Sequence, residues 1–527
     1  MLMMVCAVHD RTLGRFYGAD PARPLRNPAR PVTKSGLNER MDLSLAPALV
    51  AGLRSVGYTT DGLTQHWGAA ADAAVRRGDA APALRERGTT APLDVVARAL
   101  FLGREVSADR LRDALSPAAW DAALALGVVG TEGDLAVPKI VVRPHLLGPA
   151  RRAAWIASDR DELAGVSPLR ADHVLGVGGA GRTLTSLLPT SGTGRALDLG
   201  CGCGILALEL AERGFTVVAT DISARALHFT VLNAALNDSA GIEPRLGSLY
   251  QPVADERFAL IASNPPFVIT PRGADVPHYE YRDGGRPGDA LMAQVIGGLA
   301  EHLEPDGQAR VLGNWEGGLD RALGWADGVG LWLIERERLD PAAYAQLWIR
   351  DGGTTPGSAE YARLMTAWLD DFDERDVTSI GMGWVIATAA DPTLRRAETV
   401  AQQVAPEVLG SQVATALAVH AHLAHTDDAA LAASVLVVAG DVTEARHHLP
   451  GEESPSVIEL RQGGGLARTV GVDPALAALV GACDGDLPVG VLVDAIAELM
   501  DVDAVALRAD LLPRVRELLF CGMLALA

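Results

Sequence analysis

The sequence predicts an α/β protein built on a Rossmann-like, mostly parallel sheet with helices on both faces. Between about residues 160 and 390, short apolar segments alternate with amphipathic helical segments, the pattern of a parallel sheet. One apolar segment runs into the glycine-rich loop "DLGCGCG" at 198–204, and a later one runs into "SNPPF" at 263–267. Ligands bind at the carboxyl edge of such sheets, so both loops are candidate parts of a binding site.

Seven strands are expected in this region, at 195–200, 216–221, 244–249, 258–264, 309–315, 331–337 and 383–389. Helices are expected between them, chiefly at 204–213, 223–237 and 289–303. The interval 338–380 is predicted to be a helical insertion that precedes the last strand.

The length of 527 residues indicates several domains. Residues 1–40 are rich in Pro and Arg and are expected to be a disordered tail, which makes Met41 a second candidate for the start of translation. Residues 41–158 are expected to form a helical domain whose terminal hairpin indicates a winged helix. Such domains contact either DNA or protein, and both options stay open. Residues 159–390 would contain the sheet, and residues 391–527 an acidic helical domain, for which a winged helix is again one option.

The charge of the chain disfavours general nucleic-acid binding. The net charge is −20, and residues 391–527 contain 19 acidic and 8 basic residues, a net charge of −11. Phosphates are repelled by such a chain at long range. The five cysteines are too scattered for a disulfide framework, and no apolar stretch approaches the roughly 20 residues that span a bilayer. We therefore expect a cytoplasmic protein without a membrane segment.

The glycine loop and a later acid predict a site for an adenosine cofactor. Gly200, Gly202 and Gly204 lie between a strand and a helix, where only glycine allows so tight a turn with a ligand against the backbone. The next strand ends in Asp221, and an acid at this place can accept hydrogen bonds from both ribose hydroxyls.

The spacing of the loop favours S-adenosylmethionine over a dinucleotide. A dinucleotide loop typically reads G-x-G-x-x-G, whereas this loop reads D-x-G-x-G-x-G, and its leading Asp198 suits a cationic ligand. A G-x-G-x-x-G does occur at Gly176, Gly178 and Gly181, but no clear strand precedes it. We treat it as a loop near the cofactor.

The motif at 264–267 predicts a site for a planar NH2 group. Two prolines end the strand and stiffen the chain, so that the Asn264 carboxamide and the Pro265 carbonyl become two fixed acceptors. Phe267 adds a flat apolar face. Two acceptors and a ring suit an amide or the exocyclic amine of a nucleobase, whose nitrogen would be oriented toward a methyl donor.

Residues from about 165 to 335 resemble the class I S-adenosylmethionine-dependent methyltransferases of the N-P-P-[FY] group. This group contains HemK-like enzymes that methylate glutamine, together with adenine-N6 and guanine-N2 methyltransferases. The resemblance implies that Asn264, Pro265, Pro266 and Phe267 hold the target nitrogen, that Asp221 binds the ribose and that Ile222 lies beside the adenine. The full set implied to line the cofactor is Asp198, Gly200, Gly202, Gly204, Asp221, Ile222, Ser248, Leu249 and Asn264. Ser248 and Leu249 stand where many relatives have an acid near the adenine amine.

The expected function is methyl transfer from S-adenosylmethionine to a planar nitrogen of a macromolecule. Protein glutamine and an RNA or DNA base both remain open as acceptors. The alternative is a protein that binds the cofactor as a regulator or scaffold without catalysis. No metal is expected, because neither the C-x-C at Cys201 and Cys203 nor the histidines at 420, 422 and 425 have the spacing of a typical site.

Overall fold

The computed structural model describes residues 41–85, 91–166, 169–273 and 276–527. The tail expected at 1–40 lies outside these residues. The described residues of the N-terminal part, up to Ala164, contain the strands β1 (Val106–Ser107), β2 (Val129–Glu132), β3 (Leu135–Pro138), β4 (Val141–Leu147) and β5 (Arg152–Ser158). Its helices are Leu43–Leu45, Ala46–Ser55, Thr60–Trp67, Ala69–Arg76, Ala81–Leu84, Pro92–Val96 continued by Ala97–Phe101, Ala108–Leu115, Pro117–Ala125 and Glu162–Ala164.

Residues 92–138 have the element order of a winged helix. A helix ending at Phe101 leads to β1, two helices follow, and the hairpin of β2 and β3 completes a three-stranded sheet of order β1-β3-β2. The hydroxyls of Ser107 and Ser116 cap the second and third helices. The third helix, Pro117–Ala125, packs on the helix Ala46–Ser55 so closely that a Cβ atom at Gly52 would lie 2.4 Å from the Ala119 side chain.

Two asparagines join the N-terminal part to the central sheet layer. Asn233 and Asn237 lie one turn apart at the end of the helix Ala224–Leu236. The Asn233 amide pairs with the backbone N–H and carbonyl of Ala157 at 2.7 and 2.9 Å, and the Asn237 amide pairs likewise with Trp155 at 3.0 and 2.8 Å. The amides therefore satisfy an edge of β5 as a neighbouring strand would.

The central sheet has eight strands, which are β6 (Arg195–Leu199), β7 (Thr216–Asp221), β8 (Ile242–Leu246), β9 (Phe258–Ser263), β10 (Leu303–Glu316), β11 (Gly330–Leu339), β12 (Ile380–Thr388) and β13 (Arg395–Thr399). Their order is β13-β11-β12-β10-β9-β6-β7-β8, and β12 alone of these runs antiparallel to its neighbours. The accompanying helices are Gly179–Leu187, Ile205–Glu212, Ala224–Leu236, Gln251–Val253, Ala290–Gly297, Leu299–His302, Leu319–Leu323, Pro341–Asp351 and Ala359–Glu374.

The seven predicted strands all form, with shifted ends, and the mostly parallel sheet is confirmed. Predicted strand 244–249 ends earlier, at Leu246, so Ser248 and Leu249 lie in the following loop. The helix expected over 289–303 is divided at Gly298. The sheet also continues past residue 390, because β13 pairs in parallel with β11 as an eighth strand.

The register of β9, β6 and β7 brings the two predicted loops together. Asp198 on β6 pairs with Ala262 on β9, and Leu199 pairs with Thr220 on β7. Asn264, Gly200 and Asp221 therefore leave the sheet at one level, on three neighbouring strands about 4.8 Å apart. The chain crosses from β6 to β7 on one side and later returns to β9 on the other, so this level borders a topological switch point.

The C-terminal part contains more β structure than expected. Its strands are β14 (Val435–Val438), β15 (Val442–His447), β16 (Val457–Gln462), β17 (Thr469–Val472), β18 (Asp484–Pro488) and β19 (Leu524–Leu526), which form two three-stranded sheets. Its helices are Pro406–Leu423, Asp428–Ala433, Pro474–Ala482, Val489–Met500 and Ala504–Phe520.

Buried ion pairs and aromatic rings join the C-terminal part to the sheet. Glu398 on β13 accepts hydrogen bonds from Arg468 at 2.7 Å and from the Trp332 indole at 2.6 Å. The Phe520 ring packs edge-on against Trp332 with centroids 4.9 Å apart. Burial opposes ionisation of Glu398, but the nearby Arg468 and Arg396 charges outweigh it and lower the pKa of this carboxyl.

No helix among the described residues combines the length and the apolar character needed to cross a membrane.

Candidate functional site

The glycine loop has an open side that faces away from the protein. Gly200, Gly202 and Gly204 have φ angles of 76°, 54° and 80°, in the left-handed region that favours glycine. A Cβ atom added at Gly200 or Gly202 would meet no atom within 4 Å, whereas one at Gly204 would lie 2.8 Å from the Thr230 hydroxyl. The first two glycines therefore leave room above the loop, and the third packs on the helix behind it.

Asp221 holds the glycine loop in place. One carboxylate oxygen accepts the Gly202 N–H at 2.9 Å, and the other accepts the Ser223 N–H at 2.8 Å. Burial raises the pKa of Asp221, and these two hydrogen bonds oppose that shift. A carboxylate has about four lone-pair positions, so Asp221 can accept further hydrogen bonds from the open side.

Asp198 lies at the base of the loop with half of its carboxyl unpaired. It is completely buried, and its Oδ2 accepts the Ala207 N–H at 2.9 Å. Its Oδ1 has no hydrogen-bond partner among the described residues. Burial raises the pKa of Asp198 to about 8, and the nearby Asp221 charge acts in the same direction. A cation placed beside Oδ1 would relieve this destabilised carboxylate.

Asn264 presents an unpaired acceptor at the end of β9. Its Oδ1 is buried and lacks a hydrogen-bond partner among the described residues. The strand below is tied to β6, because the Ser263 hydroxyl donates to the Leu199 carbonyl at 2.7 Å. Pro265 is buried and Pro266 half-buried, so the acceptor stands on a segment that cannot shift easily. An orphaned buried carbonyl oxygen is costly unless a ligand donates to it.

The helical insertion supports the segment that follows Asn264. Phe267 packs edge-on against Trp348 with ring centroids 6.3 Å apart. The Tyr344 hydroxyl accepts the Ile269 N–H at 3.1 Å and the Asn314 side-chain N–H at 2.6 Å. Burial raises the pKa of Tyr344, so the hydroxyl keeps its proton. Sequence reasoning missed Tyr344 and Trp348, since nothing local in "PAAYAQLWIRD" relates this helix to Ile269, 75 residues before Tyr344.

A polar loop closes over the same segment. Asp283 forms a β-bridge with Phe267, and its buried carboxylate accepts hydrogen bonds from Arg272, His278 and the Gly285 N–H. Arg282 donates to the Trp348 carbonyl at 3.1 Å and to Asp351 at 3.0 Å. This loop and the insertion thus form one wall beside the motif.

Ile222, Ser248 and Leu249 follow β7 and β8, the strands that lie on the other side of β6 from Asn264. Ile222 follows Asp221 directly and is 69% exposed, which leaves an apolar side chain free to contact a ligand. Ser248 and Leu249 are half-buried, and Leu249 has a φ of 49°. The second glycine motif lies before and within the helix Gly179–Leu187 with no strand directly before it, and a Cβ atom at Gly181 would lie 3.9 Å from Ile205.

Asn233 is a further residue that acts on the site. Besides pairing with Ala157, its Nδ2 donates to the Cys203 carbonyl at 2.8 Å, between Gly202 and Gly204. The amide therefore connects β5 of the N-terminal part with the glycine loop. An asparagine within an apolar helical face was the available signal for this role.

Three family models match separate parts of this chain. Residues 176–279 match the methyltransferase small domain. Residues 55–139 and 415–526 match two domains of unknown function, DUF7059 and DUF7782.

The curated relatives are similar to this chain over about a quarter of its length. A release factor glutamine methyltransferase of Xylella fastidiosa is 36% identical over 137 residues, covering 24% of this chain and 48% of the relative. A ribosomal protein uL3 glutamine methyltransferase of Bradyrhizobium diazoefficiens is 34% identical over 155 residues, with 27% and 46% covered. A ribosomal RNA small subunit methyltransferase C of Klebsiella pneumoniae is 32% identical over 133 residues, with 25% and 34% covered.

The matches span about half the length of the first two relatives or less. Among solved structures, a methyltransferase from Pyrococcus furiosus aligns over 40% of this chain and 80% of its own, at 16% identity and a TM-score of 0.24. The family match and the relatives agree with the methyltransferase fold expected from the sequence. Residues 176–279 thus match the methyltransferase small domain, and they lie within a chain that is similar to glutamine methyltransferases over about a quarter of its length.

Proposed function

We propose that this chain transfers a methyl group from S-adenosylmethionine to a planar nitrogen of a macromolecule. The observation that supports this most is the pair of unpaired buried oxygens, Asn264 Oδ1 and Asp198 Oδ1, on two adjacent strands of the switch point. The first suits an N–H donor and the second a cation. A methyl acceptor and a sulfonium donor with an ammonium group provide this combination.

The glycine loop fits the cofactor. The space above Gly200 and Gly202 would take its methionine end, and Asp198 would favour its positive charge. Asp221 would accept the ribose hydroxyls, while Ile222, Ser248 and Leu249 would border the adenine. The cofactor, when bound, supplies an electrophilic methyl group on a sulfonium.

The acceptor would be held by Asn264 and Pro265. Two carbonyl oxygens accept the two N–H bonds of the acceptor, and Phe267 covers its plane, so the nitrogen lone pair points at the methyl carbon. The nitrogen–carbon bond would form as the carbon–sulfur bond of the donor breaks, with the bonding pair left on sulfur. The cationic nitrogen then loses a proton to water, without need of a strong base in the site.

We propose a protein amide as the acceptor rather than a nucleobase. A winged helix that reads DNA places its third helix in the major groove. Here that helix, Pro117–Ala125, contains no Lys or Arg, has Asp121 as its one charged residue and is packed on Ala46–Ser55. The hairpin of β2 and β3 bears Glu132 and Asp134, and Lys139, which directly follows β3, is paired with Glu132 at 3.3 Å. Both elements therefore repel phosphate. The four cysteines of the described residues are unpaired and buried, which agrees with a reducing cytoplasm.

Methyl transfer into an extract of cells that lack this protein tests the proposal. Radiolabelled S-adenosylmethionine is incubated with enzyme and extract, and the product is divided between protease and nuclease. We expect label that protease alone removes, no label with Asn264→Ala, and a largely retained affinity of that variant for S-adenosylhomocysteine. Asp221→Ala should weaken that affinity itself. Full transfer by Asn264→Ala would refute the mechanism, and label lost to nuclease would refute the protein acceptor. Cofactor binding without any transfer would favour the scaffold function.

A further inference from the structure

The turn between the last two long helices exposes large apolar side chains. Leu499, near the end of the helix Val489–Met500, is 87% exposed, and Val505, in the first turn of Ala504–Phe520, is 76% exposed. Met500 and Val502 between them are 43% and 47% exposed. Single exposed apolar residues are common, but here four exposed apolar residues lie within seven positions at one turn, and concentrations of this kind mark interaction sites. We call residues 499–505 the apolar turn.

The apolar turn is rigid. Asp501 ends the first helix with a φ of 53°, and the Val502 N–H returns to the Ala497 carbonyl at 3.0 Å. Asp503 then caps the second helix, accepting the Ala506 N–H at 2.8 Å. Val502 has a local role at the position of a hydrophobic staple with Leu507. Leu499 and Val505 do not occupy a staple position, so contact with a binding partner would explain why such large apolar side chains are exposed.

The negative charge around the apolar turn favours a positively charged partner. Residues 484–510 contain seven acidic residues and one arginine, a net charge of −6. That arginine, Arg508, is paired with Asp494 at 2.5 Å, so it does not offset the acids at the turn itself, Glu498, Asp501 and Asp503. Nucleic acid and anionic membrane would both be repelled. Two copies of the chain would bring like charges together at the same contact.

We infer that the apolar turn docks a basic polypeptide segment that has apolar anchor residues. Leu499 and Val505 would contact the anchors, and the surrounding acids would pair with Lys or Arg at the rim, where charge raises the association rate and selects partners. Because the turn is already ordered, little conformational entropy is lost on binding. The inference does not depend on the proposed methyl transfer, since binding is measured without it.

A synthetic peptide tests this inference on the full chain. The probe is a fluorescein-labelled 18-residue peptide with Leu on one helical face and Lys elsewhere, and binding is followed by fluorescence anisotropy. Two control peptides carry Glu for Lys or Ser for Leu. We expect the Lys/Leu peptide alone to bind tightly, with an affinity that falls as salt is raised.

Variants of the chain locate the contact. Leu499→Ser with Val505→Ser should weaken binding at least tenfold, and Glu498→Gln with Asp501→Asn should weaken it several-fold and flatten the salt dependence. Leu449→Ser is the matched control, because Leu449 is 54% exposed in the same part of the chain. Equal binding by the Leu499/Val505 variant and the control would overturn the inference. So would a dimer in sedimentation, or binding to phosphatidylcholine vesicles, that the Leu499/Val505 variant loses.

Discussion

The hydroxyl of Tyr344 lies 3.1 Å from the backbone nitrogen of Ile269 and accepts its hydrogen bond. The two residues are 75 positions apart, one on the helical insertion and the other two residues beyond Phe267. The insertion therefore fixes the backbone on which the Asn-Pro-Pro-Phe acceptors stand. In the proposed mechanism the insertion therefore acts on the residues that would hold the methyl acceptor, whereas the glycine loop would hold the cofactor.

Tyr344→Phe should uncouple acceptor positioning from cofactor binding. The change leaves the Ile269 N–H and the Asn314 amide without their acceptor, which costs about 1–3 kcal/mol for a buried donor. We expect kcat to fall roughly tenfold through lost orientation, with unchanged affinity for S-adenosylhomocysteine. Tyr361→Phe, on the neighbouring insertion helix, is the control. Equal kcat in the two variants would show that Tyr344 serves folding alone.

The raised pKa of Asp198 predicts that the free energy of unfolding falls as the pH rises. Folded, this carboxyl stays protonated to about pH 8, while in the unfolded chain it ionises near pH 4. The folded state thus holds more protons between these values, so the stability from Asp198 is full below about pH 4 and is lost as pH rises toward 8. Asp198→Asn should flatten this decline in urea unfolding measured from pH 5 to pH 8. A decline as steep in Asp198→Asn as in the wild-type chain would contradict the assignment.

The same carboxyl predicts proton release on cofactor binding. A cation beside Asp198 favours its ionised form, so S-adenosylmethionine binding near pH 7 should expel a proton. Calorimetry in two buffers of different ionisation enthalpy measures this number directly. Asp198→Asn should bind without releasing that proton, and identical release by both proteins would argue for another group.

Two glycines of one loop should respond differently to alanine. At Gly202 the new methyl group meets no protein atom within 4 Å, so Gly202→Ala should cost only about 1–2 kcal/mol of backbone strain and mainly block the cofactor. At Gly204 the methyl group would lie 2.8 Å from the Thr230 hydroxyl and 3.0 Å from its Cα, so Gly204→Ala should destabilise the fold more. Melting temperature and S-adenosylhomocysteine affinity separate the two effects. The reverse ranking would contradict the open side assigned to Gly202.

Asn233→Ala should weaken both the domain junction and the glycine loop. It orphans the N–H and carbonyl of Ala157 and the Cys203 carbonyl, a loss on the order of 3 kcal/mol. Asn237→Ala is the matched control, since its amide pairs with Trp155 and the Asn233 carbonyl but not with the loop. Both should lower stability against urea, and only Asn233→Ala should reduce cofactor affinity. Equal cofactor affinities of the two variants would show that Asn233 does not act on the glycine loop.

Sequence alone predicted the parts of the site that depend on local chemistry. Gly200, Gly202 and Asn264 follow apolar strands and carry turn residues of narrow conformational range, so the carboxyl edge of the sheet could be placed without a structure. The Tyr344 contact is tertiary, and its helix has no feature that marks a partner. The strand β13 was missed because "RRAET" is a polar edge segment, and edge strands lack the apolar pattern of buried ones. Strands β14–β19 are short and partly exposed, and helix-forming alanines surround them.

The eighth strand has a consequence for the order in which the chain can fold during synthesis. β13 closes the edge of the sheet beside β11, and Glu398 on it is secured by Arg468 while Phe520 packs on Trp332. A nascent chain that ends at Thr399 can pair β13 with β11, but it lacks the contacts of Arg468 and Phe520 that stabilise this edge. The roughly 120 residues from Thr399 to Phe520 take about 6 to 24 s to synthesise. During that time Phe520 is absent, and the face of Trp332 on which it packs stays exposed. The edge of the central sheet is thus fully packed only after the C-terminal part has been synthesised. Truncations near the C-terminus should therefore destabilise the central sheet as well as the C-terminal part.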